Sequence, residues 1–294
     1  MAVYKRSYKV YDGPLTPARS RFLVLSRYSW SALFESRLFT SFTLLCFSPL
    51  LIGGIFIYAV HSTTVMALVG AHINNGDLIT NIWFWGFLQT EIFLAFILGV
   101  WAVPGMMIRD FANQALQLYL SRPLSRAEYL LGKISAAVAL LSAITWVPGW
   151  LLFGLQAQLE GHGWGGEHLW LMGSIFLGCM LWITVIVLLA MALSVWVKWR
   201  IVVSILMLAT FMVLAAIGEM ASIILDTQWG RLLNLNYVLT LIETRLFRIP
   251  RHYIHAWRYE SVPVWAAWAS FLAVCLICLW VLNQRLRARE VERG

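Results

Sequence analysis

The sequence predicts an all-α polytopic membrane protein. It has six transmembrane helices, an N-terminal in-plane amphipathic helix, and short re-entrant or interfacial helices between spans five and six. Three observations carry this prediction. Of the 294 residues, 61% are hydrophobic and only 12% charged, whereas soluble domains are roughly half apolar and a quarter charged. The apolar residues gather into six blocks, each long enough to cross a bilayer, which takes roughly 20 residues as a helix. The basic residues cluster in alternate connections between those blocks.

In chain order, residues 1–38 form a polar, basic tail ending in a helix over about 19–37. Phe22, Leu25, Ala32 and Leu33 share one face of that helix, and Arg27 and Glu35 lie on the other. This is the pattern of a helix lying in the interface. The six spans follow at about 39–60, 82–108, 130–155, 169–197, 201–225 and 263–283, so that residues 39–283 make one transmembrane domain. Pro49, Pro104 and Pro148 fall inside the first three spans and predict kinks there. Residues 284–294 form a second basic tail.

Of the 22 Lys and Arg residues, 17 lie in the N-terminal segment, the second connection, the fourth connection and the tail. The connections at 61–81 and 156–168 have none, which predicts both termini on the cytoplasmic side. Trp83, Trp85, Trp170, Trp229, Trp265 and Trp268 at one level, with Trp196, Trp199 and Trp280 at the other, form the matching aromatic belts. One connection breaks the charge rule. Residues 226–262 carry five arginines on the side assigned to the exterior. Leu232, Leu233, Leu235, Val238, Leu239, Leu241, Ile242 and Leu246 recur there at near-helical spacing, so a structured helix dipping into the outer interface is expected.

The same reading excludes several functions. The net charge of +8 is accounted for by membrane orientation, so no nucleic-acid partner is expected. Cys46, Cys179, Cys275 and Cys278 all lie within apolar blocks and read as packing residues. Gly132-Lys133 lacks the glycines and the Ser/Thr of a phosphate-binding loop, and no hydrolase motif occurs. The chain is therefore expected to be no enzyme and to bind no cofactor or metal.

The most informative stretch is the connection from Arg109 to Lys133. Phe111, Ala115, Leu118 and Tyr119 fall on one helical face, and Pro123 should stop the helix near Arg122. Ser125 and Glu128 have capping-box spacing for the helix that enters span three. The run Leu120, Arg122, Pro123, Leu124, Ser125, Arg126, then Leu130, Leu131, Gly132 and Lys133, resembles the loop between spans two and three of the type-2 ABC exporter permeases. The family often has Gly-Thr or Gly-Ser before this helix, where the present chain has Asn113-Gln114.

The resemblance implies a coupling helix at about 110–121 that docks on a separate ATP-binding subunit. Its contact residues would be Asp110, Phe111, Asn113, Gln114, Leu118, Tyr119, Arg122 and Pro123. It also implies two copies of a nucleotide-binding subunit that holds ATP and Mg, and a second permease copy or homologue. The layout is similar too, with an in-plane helix first, a tight basic turn after span four, and re-entrant helices between spans five and six. An inner-membrane location follows.

Two ionisable residues lie within spans. Glu91 is about 13 Å deep at 1.5 Å per residue, and Glu219 is near the outer end of span five. Both are candidate transport-pathway residues, because intramembrane carboxylates are costly. The histidines His61, His72, His162, His168, His252 and His255 fall at external ends or loops and read as interface residues. Two other functions remain open at this stage. One is an ABC-type complex relaying force to an external accessory protein through the basic segment. The other is a proton-coupled secondary transporter using Glu91, against which the absence of an inverted repeat argues.

Overall fold

The computed structural model describes residues 21–62, 79–112, 126–161, 163–250 and 262–291. Every element among them is helical: α1 (Arg21–Phe34), α2 (Arg37–Leu45), α3 (Ser48–His61), α4 (Asn81–Ala112), α5 (Arg126–Ala143), α6 (Trp146–Glu160), α7 (Trp164–Glu167), α8 (Leu169–Ser194), α9 (Arg200–Ile224), a 3-10 helix (Gln228–Leu233), α10 (Leu235–Leu246) and α11 (Val264–Val291). Among the described residues six runs are long and apolar enough to span a membrane: Arg37–His61, Asn81–Asp110, Ala127–Glu160, Leu169–Ser194, Arg200–Ile224 and Val264–Arg285. These are the six expected blocks to within a few residues, except that the third extends five residues further, to Glu160. Spans two, three and four are mostly buried and form the centre. Spans one, five and six surround them with largely exposed apolar faces.

Each of the three prolines has its own local solution. Pro49 and Pro148 stand in the first turn of a new helix segment, where a missing N–H costs nothing. Span one is therefore broken at Cys46–Phe47 and span three at Ile144–Thr145, where the Thr145 hydroxyl donates to the Leu141 carbonyl at 2.8 Å. Pro104 instead sits inside the unbroken α4. The carbonyl it leaves without an N–H donor, that of Val100, accepts from the Ser204 hydroxyl at 2.8 Å. The next carbonyl, of Trp101, accepts from Arg200 Nη2 at 2.8 Å and Nε at 3.1 Å. Span five thus repairs the ladder of span two, as a kink within a bilayer requires.

Small residues set the closest helix contacts. A Cβ on Gly99 would stand 2.5 Å from Ile186 Cγ2, and one on Gly149 would stand 2.8 Å from Ile175 Cγ2. Gly218 of span five and Gly230 of the 3-10 helix meet backbone to backbone, so a Cβ on either would fall within 3 Å of the other's carbonyl oxygen.

Among the described residues, the basic connection between spans five and six contains the two helical elements Gln228–Leu233 and Leu235–Leu246. Asn234 separates them and caps α10, its side chain accepting from the Tyr237 N–H. The α10 helix is buried almost all round. Its final carbonyls are satisfied by spans: Ser174 donates to Leu246 O at 2.8 Å, and Asn81 Nδ2 to Phe247 O at 2.6 Å and Arg248 O at 3.2 Å. Arg248 ends the helix in the left-handed region (φ 51°), with its guanidinium 4.4 Å from the Trp170 ring centre. A glycine would avoid the backbone strain at this position but would give up the cation–π contact.

Candidate functional site

The α1 helix that the amphipathic pattern placed at 19–37 is bound along α5. Ser26 Oγ donates to Gly132 O and Trp30 Nε1 to Ala136 O, both at 2.8 Å. Leu25 and Leu33 are buried and Arg27 and Glu35 exposed, as the pattern required. Its apolar stripe faces protein, at least in part, and not lipid alone.

Where spans two and three approach the connection between them, a polar knot forms. Lys133 Nζ, buried, makes a 2.8 Å ion pair with Asp110 Oδ2, donates to Ser29 Oγ of α1 at 3.0 Å, and donates to Met106 O at 3.2 Å. Tyr129, one turn before Lys133, donates its phenolic O–H to the same Asp110 oxygen at 2.9 Å. Arg109 reaches α1 as well, donating to Ala32 O at 3.1 Å. Three elements are thereby joined at one ammonium, that of Lys133 on α5, which meets Asp110 and Met106 of α4 and Ser29 of α1. An ion pair this well buried is expensive to form and costly to break on one side. It therefore holds α1, α4 and α5 in one relative geometry.

Of the residues that the resemblance placed in the coupling segment, Asp110 is thus described and anchored. The side chain of Phe111 and residues Asn113, Gln114, Leu118, Tyr119, Arg122 and Pro123 lie outside the described residues, as do His72, His162, His252 and His255.

The two pathway candidates have different surroundings. Glu91 is fully buried, and neither carboxylate oxygen has a hydrogen-bond partner among the described residues. Glu219 lies 3.6 Å from Arg231 Nε, joining span five to the 3-10 helix close to the Gly218–Gly230 contact. A second buried carboxylate, Glu243 on α10, was not singled out by the sequence reading. It accepts from Gln89 Nε2 of span two at 2.7 Å, and the indole N–H groups of Trp85 and Trp182 face it without making an ordinary hydrogen bond. Burial pushes its carboxyl pKa up to about 8, and the hydrogen-bond donors only partly offset this. A signal for it existed. Glu243 is four residues after Leu239 and three before Leu246, on the apolar stripe of α10.

At the opposite end from the knot, His61 closes span one onto span three. Its Nε2 lies 2.8 Å from Glu160 Oε2, and Gln156 Nε2 donates to the same oxygen at 3.0 Å. His168 stacks on Trp164, with ring centres 4.4 Å apart. Among the described residues no group of three His, Cys, Asp or Glu side chains is arranged to hold a metal ion.

Six apolar spans, with charged groups buried among them and a polar knot where spans two and three approach their connection, define a multi-pass membrane protein. The family model described as "ABC-2 family transporter protein" matches residues 30–281. The chain belongs to that family, whose members form the membrane component of a transporter and normally work with an ATP-binding subunit. A search of curated proteins finds no match to it.

Proposed function

We propose that this chain is the permease subunit of an ATP-binding cassette exporter, driven by ATP hydrolysis in a separate nucleotide-binding subunit. The observation that carries the proposal is the knot of Asp110, Lys133, Tyr129 and Ser29 at the base of the 110–123 segment. A push on that segment would be delivered to spans two and three and to α1 together, because the Lys133 ammonium joins all three. Asp110, Phe111, Asn113, Gln114, Leu118, Tyr119, Arg122 and Pro123 form the docking element in this reading, and ATP and Mg stay on the partner.

Two nucleotide-binding subunits would serve a pair of permeases, made by a second copy or a homologue, in the cytoplasmic membrane with both termini inside. Glu91 contributes to the pathway. An unpartnered buried carboxylate is costly, and rearrangement of the spans relieves that cost when it brings a donor or a cargo group to it. Glu219 ties span five to the 3-10 helix, so that the external segment 226–262 moves with the spans and offers an attachment point for an accessory protein. The scarcity of fixed charge in the spans favours a hydrophobic or amphipathic cargo.

The test is co-purification from detergent-solubilised membranes. Wild type should bring down an ATPase, and Leu118→Asp/Tyr119→Asp should lose it while keeping its own thermal stability. A stable wild type that retains no ATPase refutes the proposal.

A further inference from the structure

A cavity of about 400 Å³ opens between α1, the start of span one and the ends of spans two, three and five. It lies at the level where the apolar stretches stop, since span two ends at Asp110 and span five begins at Arg200. Arg109 and Arg200 both line it and stand within electrostatic reach of one another. Neither has a carboxylate ion-pair partner among the described residues. Arg109 uses one donor on Ala32 O, and Arg200 uses two on Trp101 O. A guanidinium carries five N–H donors, so several remain in each fork.

The other charged groups that face the cavity are Lys133 and Asp110, which neutralise each other at 2.8 Å, and Glu35, which is exposed. The balance inside is positive. Phe39, Trp101, Leu33 and Met106 form an apolar part of the remaining wall, beside the hydroxyl-bearing Tyr28, Ser29 and Ser36.

Two like charges held together beside an open cavity cost energy unless an anion bridges them, and paired arginines match the oxygens of a phosphate. A free phosphate would have no use for the apolar wall, whereas a phospholipid would lay its glycerol and first methylenes there. We propose that this cavity binds the phosphate headgroup of an anionic phospholipid, held between Arg109 and Arg200 with its acyl chains directed along the apolar wall. The bound lipid would join α1 to span five, which Asp110 and Lys133 do not reach. The site does not depend on which cargo the permease carries or on an ATPase being attached.

The test uses purified full-length protein in detergent with equimolar phosphatidylglycerol and phosphatidylcholine of identical chains, read by native mass spectrometry. Wild type should retain one phosphatidylglycerol per chain in preference to phosphatidylcholine. Arg109→Gln should reduce that retention by about tenfold, the equivalent of one charge-assisted hydrogen bond. Glu35→Gln removes the one opposing rim charge and should raise retention several-fold, a gain that a damaged fold cannot imitate. A parallel arm adds inorganic phosphate at millimolar concentration, which should leave the lipid in place. Equal retention of the two lipids, either substitution failing to move retention in its stated direction, or displacement by inorganic phosphate would overturn the proposal.

Discussion

Replacing Lys133 with methionine tests the knot directly. The substitution keeps most of the side-chain volume but removes the ammonium that meets Asp110 at 2.8 Å, Ser29 at 3.0 Å and Met106 O at 3.2 Å. Stripping one partner from a buried ion pair costs about 3–5 kcal/mol. Asp110 keeps the Tyr129 hydroxyl and is only partly buried, which places the loss near the lower figure. For a chain of 294 residues about 3 kcal/mol corresponds to a fall in Tm of roughly 5 °C, at an unfolding entropy of about 2.1 cal/mol/K per residue. Asp110→Asn/Lys133→Met should be less destabilised than Lys133→Met alone, because the stranded charge is gone. The assay is thermal unfolding in detergent for the four members of the cycle, alongside ATPase co-purification for each. If Lys133→Met leaves Tm within about 1 °C of wild type, or if the two substitutions add without coupling, the knot holds nothing together and the route proposed for force through it is wrong.

Three further outcomes follow from other contacts. Glu243 has a raised pKa in the folded chain, so it holds its proton over a range in which the unfolded chain has lost its own. Stability should therefore be greatest below the usual carboxylate pKa and fall as pH rises from about 4.5 towards 8, with a smaller fall in Glu243→Gln, as read from Tm against pH. Alanine at Gly218 would bring a Cβ to 2.9 Å from Gly230 O, and alanine at Gly230 one to 2.8 Å from Gly218 O. Each should cost about 1–3 kcal/mol and increase proteolysis around Gln228–Leu233 more than elsewhere; an unchanged digestion pattern counts against this contact. Gly99→Ala should destabilise the packing of span two on span four, because its Cβ would meet a methyl group of Ile186 at 2.5 Å. Ile186→Ala in the same chain should recover much of the loss, measured as the Tm of the single and double variants.

Much of this architecture could be read from the residues in order. Span length and number follow from apolar runs, because a helix must cover the bilayer with every backbone group satisfied inside itself. The α1 helix followed from a one-sided pattern, and the structured segment before span six from leucine spacing in a stretch too basic for an outer loop. Asp110 was named because it opens the 110–123 segment. Lys133 was read only as the end of the matching motif and Tyr129 was given no role, so neither was linked to Asp110.

The covalent order of residues determined which stretches cross the membrane and where charge gathers, since both depend on local composition. Only the tertiary structure decided what each polar group touches. The carbonyl freed by Pro104 is met by Ser204 and the next one by Arg200, some hundred positions later. Gln89 meets Glu243 across 154 positions, whereas Glu91, two residues along the same helix, meets no donor among the described residues. Partners of that kind are fixed by how helices pack, through contacts such as Gly99 on Ile186, and no local pattern encodes the distance between side chains on separate spans.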